Sequence, residues 1–378
     1  METSYQPRHL QEKSAGFHEL FFDLIFVYAM QKMAHVILNV HGGTISSELF
    51  LKYIIMSVFL WILWSHQTFY TNRFGETTTK DVIFMMFNLF VLVFLSNSLY
   101  PDFEKTFFPF FLCIGILYLS ISIQYSLHLN KTKHKSDYKT CQAFAIVALI
   151  VAILSLVSLV LPKSIHYIPG FLGLFIASTG LIPYRKYLYQ SPVNLSHLVE
   201  RFSLLTIIIF GEVLVGLTSI FSIEHFNYIY IFQFLIVVSL FGTYWLMTES
   251  HINLHQTTIG FQLVYTHLLI NIALGILNAA VIFSDSHQLS SKFEICMMHG
   301  SILLFYIGVW INTTYFHKEL KNINYIIIGA ILLVLSFIIS MFFNGYQDVM
   351  IISIAIANIL VMLLYYKNIK KRTKSVIK

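Results

Sequence analysis

The residues that stand out are ionisable side chains set inside long apolar stretches. Glu212 lies in Phe210-Gly211-Glu212-Val213-Leu214, with Gly216 close behind. A carboxylate in the middle of a membrane segment costs about 2.5–3.5 kcal/mol to insert and is too short to reach water. The chemistry it offers is proton or cation binding, or an anchor for a cationic group of a substrate. The bland alternative is a protonated carboxyl hydrogen-bonded to a neighbouring helix. Counted from residue 200, Glu212 falls roughly 18 Å along a helix, near the midplane. Gly211 and Gly216 would let a ligand or another helix approach closely.

Glu19 and Asp23 are four residues apart, so they share one helix face. Carboxylates at a helix N-terminus are also favoured by the dipole. Arg73 ends the second apolar run and returns to the same side, so a clasp of Glu19 and Asp23 with Arg73 is expected. The second half of the chain offers a charge-swapped version, with Glu200 and Arg201 opposite Glu249. Both sets read as structural or gating ion pairs rather than as a substrate site.

His267, Asn271 and Asn278 fall within about 40° of one another on a helix. Such a stripe lines a polar path or supplies interhelical hydrogen bonds. The first run adds Gln31, Lys32 and His35. Lys32 is expected to snorkel, and Gln31 takes the place of Glu212 when the two halves are aligned. His66 is a lone histidine and reads as a packed residue. Gly170, Gly173, Ala177 and Gly180 form a small-residue face for close helix packing, with Pro169 as a kink or boundary.

The elements that hold these residues follow from composition. Hydrophobic residues make up 57% of the 378, charged residues only 11%, and the mean hydropathy is +0.72. A soluble domain carries about a quarter charged residues, so the solvent of this chain is lipid. Twelve apolar runs can be marked, from 19–39 to 348–366, each about long enough to cross a core of roughly 30 Å. They are too long, and too poor in alternation, for barrel strands. The expected fold is all-α: a polytopic transmembrane bundle of about twelve helices.

With the N-terminus in the cytoplasm, 18 lysines and arginines fall in cytoplasmic segments and three (Lys105, Lys163, Lys292) in the opposite loops. That asymmetry orients the chain and places both termini inside. The net charge of +6 belongs to these loops, which meet anionic lipid headgroups, and not to nucleic acid. The N-terminal stretch has no signal-peptide pattern. Cys113, Cys141 and Cys296 form no paired or metal-binding spacing. Aligning Glu19 with Glu200 also aligns Phe21 with Phe202 and Leu24 with Leu205. This suggests two parallel six-helix repeats: an N-terminal segment 1–18, a first half 19–182, a linker 183–199, a second half 200–366 and a basic tail 367–378.

Three motifs carry a family resemblance. His18-Glu19-Leu20-Phe21-Phe22-Asp23-Leu24-Ile25-Phe26-Val27 resembles the first-helix signature of the bacterial low-temperature-requirement A family. Thr71-Asn72-Arg73-Phe74 resembles its next motif, and Glu200-Arg201-Phe202-Ser203-Leu204-Leu205 through Gly211-Glu212 its mid-chain signature. Gly75–Asp81 is less acidic than the family's corresponding stretch, and Trp245-Leu246-Met247-Thr248-Glu249 differs from its aromatic-Asp ending. The resemblance implies a multi-spanning inner-membrane protein linked by name to growth in the cold, with no substrate attached.

No P-loop, HExxH, GxSxG or dinucleotide signature occurs, so no cofactor or metal is expected. The reading that follows is a secondary transporter of an unknown small solute or ion. The alternatives are an intramembrane enzyme acting on a lipid or isoprenoid, and a structural or sensory membrane protein.

Overall fold

In lipid a backbone must satisfy its own hydrogen bonds, and an apolar run of this length does so as a helix. A computed structural model describes residues 13–76, 78–100, 102–132, 134–286 and 288–376, with side chains up to Lys370. The first twelve residues of the N-terminal segment and the side chains of 371–378 in the basic tail lie outside the described residues.

The described residues form thirteen α-helices: α1 (Phe17–Ala34), α2 (Ser47–Arg73), α3 (Thr79–Asn97), α4 (Phe103–Leu129), α5 (Lys135–Ser158), α6 (Tyr167–Thr179), α7 (Arg185–Gln190), α8 (Leu195–Ile220), α9 (Ile229–Leu246), α10 (Phe261–Ser286), α11 (Ser291–Ile311), α12 (Ile323–Phe342) and α13 (Gln347–Val376). No strand occurs among them, only two isolated bridges. Twelve helical segments are long and apolar enough to cross a membrane, six of them before Gln190 and six after Leu195. The expected all-α polytopic bundle is what the chain forms.

The sixth segment differs from its expected form. α6 stops at Thr179, and Ile182–Tyr184 is a 3-10 turn followed by the six-residue α7. Pro183 lacks the amide that would continue the ladder and clashes with the preceding turn. Pro169, by contrast, sits in the first turn of α6, where no amide is needed. The small-residue face packs as expected. Gly170 leaves no room for a Cβ beside the Phe111 ring of α4, and Ala177 is buried.

The chain forms two compact units. The first takes in the chain up to Lys32, Ile55–Phe202 and His255–Phe261. Its core is aromatic: Trp61, Trp64 and Phe202 pack ring on ring, as do Phe69, Phe144 and Tyr125. The second takes in Met33–Ile54, Ser203–Leu254 and the chain from Gln262 on. There Gly308 leaves no room for a Cβ against the Thr266 carbonyl and the Ile270 side chain of α10, so the two helices pack closely.

Candidate functional site

The first unit holds a buried charge network near one end of its helices. α1 contributes Glu19 and Asp23 from its first two turns, at 2% and 1% exposure. α8 contributes His197 and Arg201, both fully buried. Each pair is spaced by four, so each presents two side chains from one helix face. α2 closes the site with Trp64, Thr71 and Asn72, all buried.

Asp23 takes a forked contact from Arg201. Arg201 Nε donates to Oδ2 at 3.2 Å, and an Nη nitrogen donates to Oδ1. Trp64 Nε1 donates to the same Oδ1 at 2.7 Å. The other Nη of Arg201 donates to Thr71 Oγ1 at 2.9 Å and reaches Glu19 Oε1 at 3.5 Å. The guanidinium carbon lies 5.5 Å from the Trp64 ring centre, within cation–π range. Paired carboxylate and guanidinium groups of this kind persist in a dry interior only when their lone pairs and protons are matched.

Glu19 is held on its other side by His197. Its Oε2 lies 3.1 Å from His197 Nε2 and accepts from the Gly16 amide at 2.9 Å. The histidine's protonation follows from its second nitrogen. Asn72 exchanges two bonds with the Asn194 backbone, Oδ1 accepting from the amide at 3.0 Å and Nδ2 donating to the carbonyl at 2.9 Å. That fixes the Asn72 amide, whose Nδ2 then donates to His197 Nδ1 at 3.0 Å. Nδ1 is an acceptor, so Nε2 carries the proton and donates to Glu19. His197 is therefore neutral. Two carboxylates face one guanidinium.

Asn194 also starts the helix. Its Oδ1 accepts from the His197 amide at 3.2 Å, a side-chain cap of the first turn. Lys13 sits at the opposite polarity, on the last turn of α2. Its Nζ donates to the carbonyls of Thr71 and, at 3.0 Å, Gly75. Lysine at a helix C-terminus satisfies free carbonyls and favours the dipole. Burial lowers the Lys13 pKa, while the Glu19 charge acts in the opposite direction.

Several expectations are corrected. Arg73 is not the partner of Glu19 and Asp23. It donates to the backbone carbonyls of Ser191 (Nε, 3.0 Å) and Ile259 (3.0 Å), and lies over Phe69 and Phe144. Arg201, on α8, takes the carboxylates instead. Glu200 points elsewhere, to the Ala15 amide at 3.0 Å. Glu249 is exposed on a π-turn, Met247–His251. His35 is exposed on a 3-10 turn and Gln31 is half-buried.

Glu212 is half-buried rather than enclosed, and has no hydrogen bond or ion pair among the described residues. Its depth also changes. α8 begins at Leu195, five residues before the apolar run suggested, so Glu212 is roughly 26 Å along the helix. His267 is buried and committed: Nδ1 donates to the Leu263 carbonyl at 2.9 Å and Nε2 accepts from the Tyr244 hydroxyl at 3.0 Å. Asn271 accepts from Thr206 Oγ1 at 3.4 Å, and its Nδ2 has no partner.

A second buried polar cluster in the first unit escaped the sequence reading. Gln67 Oε1 accepts from Asn88 Nδ2 at 3.0 Å and Gln124 Nε2 at 3.2 Å, and Gln67 Nε2 donates to Gln124 Oε1 at 3.2 Å. Three amides from α2, α3 and α4 thus bond to one another, while Asn88 Oδ1 is left without a donor. His66, by contrast, packs as expected, with Nε2 3.0 Å from the Ala177 carbonyl. Among the described residues no group of three His, Cys, Asp or Glu side chains is placed to hold a metal ion.

No curated protein and no solved structure matches the chain. The family profile described as bacterial low temperature requirement A protein matches residues 14–364. That match covers nearly the whole chain, with every residue of the charge network and eleven of the twelve candidate spans wholly inside it and the twelfth in large part. The chain is a multi-pass membrane protein and belongs to the bacterial low temperature requirement A family.

Proposed function

We propose that the protein is a secondary transporter of the plasma membrane, with both termini in the cytoplasm, and that the Glu19–Asp23–Arg201–His197 network is its proton-responsive gate. The observation that carries this reading is the imbalance among the directly bonded groups of the buried site: two carboxylates, one guanidinium and a neutral histidine, with the Lys13 ammonium acting on Glu19 only at a distance. A purely structural ion pair would match its charges. An unmatched buried charge is costly, and taking up one proton removes it. Ion movement coupled to such a step is what intramembrane carboxylates commonly serve. The excess of lysine and arginine in alternate loops supports a cytoplasmic position for this end of α1, α2 and α8.

The six-and-six division of spans accords with two parallel halves, 19–182 and 200–366, joined by 183–199. In the second unit Glu212 is a carboxylate free to take a proton or a cation, and Asn271, next to Thr206 of the helix that carries Glu212, offers an unused donor. His267 serves as a fixed wall of the transport path, because both its nitrogens are engaged.

The test is proton flux into sealed proteoliposomes holding a pH dye, run across a panel of small solutes. Solute-dependent flux in the wild type, lost in folded Glu19→Gln and reduced in Glu212→Gln, is the expected result. No flux with any solute from folded wild type would remove the transport reading. Flux unaltered in Glu19→Gln would leave transport but remove the gate.

A further inference from the structure

A groove of about 290 Å³ lies in the second unit among α11, α12 and α13, lined by Cys296, His299, Gly300, Leu333, Ser336 and Asn358 among others. Its mouth is apolar and open: Gly300 is exposed, and a Cβ there would meet nothing within 4 Å. Its floor is polar. Asn358 is fully buried, its Nδ2 donates to the Ile354 carbonyl at 2.8 Å, and its Oδ1 has no partner. His299 donates from Nδ1 to the Ile295 carbonyl at 3.0 Å, which leaves Nε2 to accept from Ser336 at 3.2 Å. Ser340 and Ser353 direct their protons to the carbonyls of Ser336 and Met350, both at 2.9 Å.

The proton count selects a ligand. The imidazole proton and the serine protons each have an acceptor, and what remains on the floor is accepting capacity, above all Asn358 Oδ1. A buried acceptor without a donor costs about 1–3 kcal/mol. No carboxylate lines the groove, so nothing there compensates a cation. Asn358 lies eleven residues into α13, roughly 16 Å along the helix and so at mid-depth of the hydrocarbon. We infer that this groove binds a neutral, lipid-phase amphiphile bearing a hydroxyl group. Its chain lies along Gly300 and Leu333, and its O–H donates to Asn358 Oδ1. Nothing in the charge network of the first unit is required for this, so it stands apart from the transport reading.

Cys296 is a built-in reporter, since it lines the groove and is exposed while Cys113 and Cys141 are buried. The experiment follows alkylation of Cys296 by N-phenylmaleimide in the full-length protein in nanodiscs, read by mass spectrometry. The probes are farnesol and its methyl ether, which has the same chain without the donor. Farnesol should slow alkylation at a concentration about tenfold below that needed for the ether, the size of one hydrogen bond in a dry site. Asn358→Leu should abolish that tenfold preference. Gly300→Leu, at a position with open space, should fold normally and lose protection by both probes. Equal protection by alcohol and ether in the wild type, no protection by either, or a preference that survives Asn358→Leu or protection that survives Gly300→Leu would overturn the proposal. If Asn358→Leu fails to fold, the alcohol–ether comparison and Gly300→Leu decide it.

Discussion

Arg201 meets Asp23 through both oxygens of the carboxylate, Nε on Oδ2 at 3.2 Å and an Nη nitrogen on Oδ1, in a position closed to water. A planar fork of this kind cannot be copied by a single ammonium. Arg201→Met strands two carboxylates and should cost about 3–5 kcal/mol. Arg201→Lys keeps the charge and should still lose a large part of that. Thermal unfolding in detergent measures both, and a Lys variant as stable as wild type would contradict the forked pairing.

The identity of the partner is separately testable. Asp23→Arg combined with Arg201→Asp should recover part of the expression that each single change loses. Asp23→Arg combined with Arg73→Asp should recover none, because Arg73 is committed to the Ser191 and Ile259 carbonyls. Rescue by the Arg73 pair and not by the Arg201 pair would reverse the assignment.

His197 is expected in the neutral tautomer with its proton on Nε2, because Asn72 is anchored by the Asn194 backbone. Solid-state nitrogen-15 spectra of histidine-labelled protein report this directly. Asn72→Ala removes the anchored donor and should let a second tautomer appear. A proton on Nδ1 in the wild type would mean that Asn72 presents its oxygen to the ring.

The amide cluster of Gln67, Asn88 and Gln124 predicts a non-additive pattern. Gln67→Leu leaves two buried amide donors without their acceptor and should lower stability by roughly 1–2 kcal/mol, given the modest worth of hydrogen bonds within membranes. Adding Asn88→Leu and Gln124→Leu should return much of that loss, because no orphaned group then remains. Losses that simply add across the three positions would show that the amides do not act as a cluster.

Two lysines outside the spans should titrate on opposite sides of the usual value of 10.5. Burial lowers the pKa of Lys13. Hydrogen bonding to Glu76 at 2.9 Å raises that of Lys131. Amine acylation follows the neutral form, so Lys13 should reach half its maximal rate below pH 10.5 and Lys131 above it. The sign carries over to stability. The exposed Lys131–Glu76 pair contributes below about pH 10.5 and ceases to contribute as pH rises through the raised pKa, while Lys13 becomes easier to accommodate as it deprotonates. Glu76→Gln should return Lys131 towards the ordinary range. Quantitative peptide mapping against pH reads all three.

The helices were legible because lipid leaves a chain few options, and a long apolar run is nearly a statement of helix. The site was half legible for the same reason. Glu19, Asp23 and Arg201 are conspicuous as charges among apolar neighbours. Their pairing was not, because it depends on which helices pack, and Arg73 and Arg201 are equivalent by chain order and sidedness alone. His197 was missed because it lies in a stretch that resembled linker until the helix was seen to begin at Leu195. Its spacing of four from Arg201, echoing Glu19 and Asp23, was the available signal. The burial expected of Glu212 failed because a charge in an apolar run says that the residue lies at depth, not which way its helix face turns.

The break at Pro183 bears on the bilayer itself. The thirteen residues of α6 cover only about 20 Å, against a hydrocarbon core of roughly 30 Å. The remainder falls to a 3-10 turn and α7, on a segment that is only 22% buried within the protein. Hydrophobic mismatch at such a place costs fractions of a kcal/mol per Å and is relieved when the bilayer thins locally. Cooling orders and lengthens acyl chains, so a bilayer thinned around α6 would be harder to maintain as temperature falls. The lipid composition that suits this protein is therefore set in part by one proline.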